Sequence, residues 1–147
     1  MNYEVNEATL AIIPDSYGKS RVIEKDDEYL VEDKPYKIME HSCEYFGSSL
    51  EGRICGTKNM LGSIYKPPLL VEESKKIIFF PTESPNTDKN IWISLNNIKE
   101  YNKKDQKTVI KFKNNKEIEL DIPYYSIDNQ ILRATRLQTV YFDRKND

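Results

Sequence analysis

The 147 residues carry 22 Lys and Arg against 24 Asp and Glu, a formal net charge of −2, and no run of about 18 apolar residues exists to form a membrane-spanning helix. The apolar share of 38% is low and the charged share of 31% high, but ten tyrosines and an aromatic share of 11% exclude a disordered chain, which lacks such core-forming side chains. The length fits one compact domain, residues 1–147. The start Met-Asn-Tyr-Glu-Val has neither the basic nor the apolar part of a signal peptide, so a cytoplasmic protein is expected.

The charge is unevenly spread. Residues 1–51 hold 5 Lys/Arg and 12 Asp/Glu, a balance of −7, and residues 52–147 hold 17 and 12, a balance of +5. Screening limits phosphate attraction to roughly 10 Å, so one basic surface on an acidic molecule can still hold nucleic acid.

In chain order, residues 3–13 predict an edge strand, a turn near Asn6-Glu7 and a buried strand Thr9–Ile13 that Pro14 ends. Gly18-Lys19-Ser20 is no phosphate loop, because Ile13 stands where the partner glycine is required. Arg21–Glu24 and Tyr29–Glu32 predict a hairpin about Asp26-Asp27. The acids of that turn lack the spaced ligands and glycine of a calcium loop and are expected to be solvated. Ile38–Phe46 predicts a short helix with Ile38, Met39, Tyr45 and Phe46 inward. His41 has no nucleophile or carboxylate at a motif spacing, so no catalytic group is assigned. Cys43, Cys55 and His41 cannot complete a structural zinc site without carboxylates; the cysteines are expected to be free thiols, and no metal or cofactor is called for.

The segment Ser42–Val71 holds four of the five glycines and both cysteines. With Ser49 as cap, Leu50, Ile54, Thr57 and Leu61 share one face of a helix, while Gly52, Gly56 and Asn59 lie opposite. Two interior glycines one turn apart mark either a surface open to close approach or a segment broken into loop and turn. Beyond Pro67-Pro68, strands are expected at Leu69–Val71, Ile77–Phe80, Ile91–Leu95 and Ile98–Tyr101, with a polar loop from Thr82 to Asn90. Thr108–Ile122 alternates on both sides of Asn114-Asn115 and predicts a hairpin. Seven lysines between Lys99 and Lys116 form either a phosphate-tracking rim or the solubilising charge of exposed strands. Ser126 is expected to cap a last helix with Ile127, Ile131, Ala134, Gln138 and Tyr141 inward, and with Leu132 and Val140 bordering the polar face. The fold class is therefore α+β, mainly antiparallel sheet with a short central helical segment and a C-terminal helix.

Ser42-Cys43, Phe46-Gly47-Ser48-Ser49, Gly52-Arg53, Gly56-Thr57 and Lys66-Pro67-Pro68 together resemble the ComK family of competence transcription factors of Gram-positive bacteria. Tyr3-Glu4-Val5-Asn6, Ala8-Thr9, Ile23-Glu24-Lys25-Asp26, Phe80-Pro81-Thr82, Trp92-Ile93-Ser94, Asn129-Gln130 and Arg133 extend the resemblance over almost the whole chain. It implies an activator that binds paired AT-rich promoter boxes on double-stranded DNA, largely through the minor groove. It also implies a homodimer or tetramer, without catalytic activity or cofactor.

A narrow AT minor groove attracts an inserted arginine, and Arg53, in the glycine-bearing segment, is the first candidate; the bland alternative is an ion pair with Glu51 or Glu44. Ser48, Ser49, Thr57, Lys58 and Lys66 are the phosphate candidates, with Arg133 and Arg136 as second choices for DNA. ComK-like chains commonly continue past this helix into a tail by which an adaptor delivers them to the Clp protease. This sequence stops at Asp147, so such control is not counted on. The other expectation is a protein-interaction module that keeps the fold without binding DNA.

Overall fold

A computed structural model describes residues 2–146. In order, the elements are β1 (Thr9–Pro14), a 3-10 turn (Ser16–Gly18), β2 (Ser20–Glu24), β3 (Glu28–Val31), α1 (Pro35–Tyr45) and α2 (Leu50–Leu61). They continue with β4 (Leu69–Glu72), β5 (Ile77–Pro81), β6 (Trp92–Ser94), β7 (Ile98–Lys104), β8 (Lys107–Phe112), β9 (Glu117–Leu120) and α3 (Tyr124–Lys145).

Continuous apolar runs in β4, β5 and β6 signal strands buried on both faces, and each residue of β5 and β6 is buried. These strands belong to a six-stranded antiparallel sheet ordered β3-β2-β1-β6-β5-β4. Ile12, Val22, Leu69, Phe79 and Trp92 point to one side, where Ile38 and Met39 of α1 and Leu50 of α2 close a first core. Leu70, Ile78, Phe80 and Ile93 point to the other, against Ile110, Phe112, Ile118 and Leu120 of the three-stranded sheet β7-β8-β9 and Ile127, Ala134 and Leu137 of α3. The architecture is α+β, with both helical layers pinned to a central sheet.

The β2–β3 and β8–β9 hairpins form as the alternation predicts. Asn115 turns the second at φ 72°, a conformation asparagine tolerates.

Three expectations are corrected. Residues 3–6 form no strand: β2 and β6 already flank β1, so the arm cannot pair back onto the strand it leads into. It is held by side chains instead. The Tyr3 hydroxyl meets Thr9 Oγ1 at 2.6 Å and donates to Glu24, and Val5 N–H donates to Ser42 Oγ at 3.1 Å. In α1, Tyr45 is exposed and Ser42 and Cys43 are buried in its place. The last helix begins at Tyr124 after Pro123 rather than at a Ser126 cap, and its buried stripe runs Ile127, Gln130, Ala134, Leu137. That stripe keeps Ile127 and Ala134 but buries Gln130 and Leu137 where Ile131 and Gln138 were expected, a rotation of about one residue about the helix axis.

Candidate nucleic-acid interface

α2 starts as its sequence dictates. Ser49 is the N-cap, its Oγ accepting the Gly52 N–H at 2.9 Å. A Cβ at Gly52 would stand 2.9 Å from that same oxygen, so a larger residue there would have to displace the capping hydroxyl. Gly56 differs: the nearest atom to a Cβ there is the Met60 methyl carbon at 4.0 Å. Nothing in the fold demands it, and it leaves the helix face bare where Cys55 and Asn59 are exposed.

Thr57, foreseen as a phosphate ligand, is 1% exposed, and its hydroxyl donates to the Pro68 carbonyl at 2.6 Å and lies 3.2 Å from the Arg53 carbonyl. Its hydroxyl is spent on the turn that follows α2, so it faces no surface ligand. Ser48 and Ser49 are half-buried at the start of α2 and Lys58 is exposed near its end.

Arg53 is half-buried, its Nε is shut off from solvent without a hydrogen-bond partner, and among the described residues it forms no ion pair with Glu51 or Glu44. Its charge is felt at the fully buried Cys43: burial pushes that thiol up to about 11, the Arg53 guanidinium offsetting part of the rise and Glu44 adding to it. Cys43 stays a neutral thiol at ordinary pH. Cys43 and Cys55 are both free.

The second half of the surface comes from α3, which packs beside α2. Gln130, 1% exposed, donates its Nε2 to the carbonyls of Lys66 (3.0 Å) and Pro81 (2.6 Å) and accepts from Arg133 Nη1 at 2.8 Å. Near the far end of the seam, Arg144 Nη1 donates to Asn59 Oδ1 at 2.8 Å. Lys66, Arg133 and Arg144 thus lie along the line where α2 meets α3. Arg136 is exposed one turn beyond Arg133 on the solvent side, and Arg53 with Ser48 and Ser49 sits at the opposite end of α2. Sequence reasoning missed Gln130 and Arg144 as members of this surface. A glutamine three residues past Ile127 on an otherwise apolar stripe was the available signal.

The lysines of β7–β9 are interleaved with acids. Lys104 and Lys107 pair with Glu119 at 3.6 and 3.9 Å, Lys111 lies across from Glu100 and Glu117, and Lys116 donates to the Glu24 carbonyl at 2.7 Å. This pattern matches exposed sheet charge better than a phosphate track. Among the described residues no three His, Cys, Asp or Glu side chains gather as metal ligands, and no helix is long and apolar enough to cross a membrane. His41 Nε2 lies 3.0 Å from Glu4 Oε2.

These features define an α+β protein in which α2 and α3 lie side by side, with Lys66, Arg133 and Arg144 along their junction. The chain belongs to the ComK family, whose model, described as ComK protein, matches residues 1–146. It is 41% identical to a competence transcription factor of Bacillus subtilis (strain 168), the match covering 97% of this chain and 77% of that protein. No solved structure matches the chain.

Proposed function

We propose that the protein is a transcription factor for competence, an activator that binds paired AT-rich promoter boxes on double-stranded DNA through the α2–α3 ridge. The observation that carries this reading is the convergence of Lys66, Arg133 and Arg144 on one seam beside a helix face kept bare by Gly56. Lys58 extends the row on α2. Cations along such a ridge follow a phosphate backbone, and a face without side chains lets that backbone come close.

Arg53 takes the groove-reading role by leaving its present place. A buried donor without a partner costs roughly 1–3 kcal/mol, so transfer of its Nε onto a groove acceptor removes a penalty of the free protein. The negative potential of a narrow AT minor groove favours that transfer. Binding as a homodimer or tetramer fits the exposed Leu132 and Tyr125 on the outer side of α3, which a second copy would cover.

The test is a titration of a duplex bearing two AT boxes, followed by gel mobility across a salt series, against a GC-rich control. With Lys58, Lys66, Arg133 and Arg144 on phosphates, log K should fall with log salt at a slope of about 3 to 4 per chain. Arg53→Ala should weaken binding to the AT duplex and narrow its lead over the control. Equal affinity for both duplexes would overturn the reading in favour of a protein-interaction module.

A further inference from the structure

The turn between α2 and β4 is held from two sides by buried polar side chains. Thr57 of α2 takes the Pro68 carbonyl, and Gln130 of α3 takes the Lys66 carbonyl. Both side chains are 1% exposed. Pro67 and Pro68 have no N–H with which to anchor themselves, so side-chain donors must fix the turn. Gln130 does more than this. Its second amide bond goes to Pro81, at the end of β5, and its oxygen receives the Arg133 guanidinium. One carboxamide thereby ties the backbone that carries Lys66 and the guanidinium of Arg133 to the central sheet.

We propose that Gln130 is a positioning residue for nucleic-acid binding, locking Lys66 and Arg133 into one phosphate-binding unit; this rests on the DNA-binding reading of the ridge. Arg133 keeps donor nitrogens beyond the one engaged by Gln130, since a guanidinium carries five N–H groups in a fixed fork. Tethering one of them aims the remaining ones and removes rotamer freedom before any phosphate arrives, which is how preorganisation raises affinity. Without Gln130, Lys66 and Arg133 keep their charges, but the Lys66 backbone and the Arg133 guanidinium lose their common anchor.

The experiment measures binding of the two-box AT duplex by fluorescence anisotropy at several salt concentrations for the wild type, Gln130→Met, Arg133→Ala and the double variant. Methionine keeps the shape and removes the amide, and circular dichroism checks that it folds. Each single variant should lose about three- to tenfold in affinity and lower the salt slope by about one, and the double variant should be no weaker than Arg133→Ala. Losses that multiply in the double variant, or an unchanged salt slope in Gln130→Met, overturn the proposal while the DNA-binding reading stands. If Gln130→Met does not fold, Arg133→Ala decides: wild-type affinity there overturns the unit. A wild type that does not prefer the AT duplex sinks the DNA-binding reading itself, a separate outcome.

Discussion

Two glycines one turn apart in α2 read alike in the sequence and have different physical reasons. Gly52 leaves room for the Ser49 oxygen that caps the helix, whereas a Cβ at Gly56 would meet only the Met60 methyl carbon, at an ordinary contact distance of 4.0 Å. An interior glycine costs about 1 kcal/mol relative to alanine. Gly56→Ala should therefore raise stability by up to about 1 kcal/mol in urea unfolding and at the same time weaken binding to the AT duplex, because the new methyl group stands on the ridge. A stabilised variant with unchanged affinity would remove the bare face from the interface. Arg53 gives the complementary case: the alternative ion pair with Glu51 or Glu44 is not formed among the described residues, and the guanidinium instead lowers the buried Cys43 thiol against its burial.

At the level of elements, α2 is stitched rather than simply packed. Leu50 and Thr57 are its buried residues, and it lies between α1, β4 and α3. Thr57 supplies the tie to Pro68. Thr57→Val keeps the volume and leaves a buried carbonyl unpaired, which should cost about 1–2 kcal/mol in thermal or urea unfolding. A variant as stable as the wild type would show that the tie contributes nothing. α3 is fastened along its length: Tyr101 donates to Asp128 at 2.6 Å, Gln138 Oε1 accepts from Asn96 at 2.8 Å, and Tyr141 and Lys145 both engage Glu73 beside the β4–β5 turn. A helix fixed at so many points is a rigid platform for the cations on its free side.

Across the whole molecule, the acidic residues 1–51 build β1–β3 and α1, while α2, α3 and the small sheet come from the basic remainder. The net charge of −2 thus hides a polarity along the chain, although pairs such as Lys75–Glu7 and Lys34–Asp88 join the two halves in the fold. The fold also sets an alkaline limit. Tyr3 is raised by burial and then by Glu24, Tyr101 by burial and then by Asp128, and Cys43 by burial to about 11 from an ordinary 9.0. Each folded pKa lies above its unfolded value, so the folded state binds the proton more tightly. The associated stability is intact below the unfolded values, near 9 for the thiol and 10 for the phenols, and is lost as pH rises past them. Urea midpoints should hold to about pH 9 and then fall, with a gentler fall in Tyr3→Phe. A level profile to pH 11 would contradict the burial of these groups.

The sequence by itself determined the local elements and the family. Apolar periodicity, the Ser49 cap and the Asn114-Asn115 turn depend on neighbours a few residues apart, so β1–β9 and α2 were legible nearly to their bounds. Only the tertiary structure decided where polar side chains go. Thr57 and Pro68 are eleven positions apart, and Gln130 reaches Lys66 across 64; no periodic pattern encodes such pairings. They exist because a buried donor must find whichever acceptor the packed sheet and helices bring to it. That requirement gave the inward-facing Thr57 hydroxyl its Pro68 partner, tied Tyr3 and Val5 to side chains instead of a strand, and brought Lys66 and Arg133 to one carboxamide.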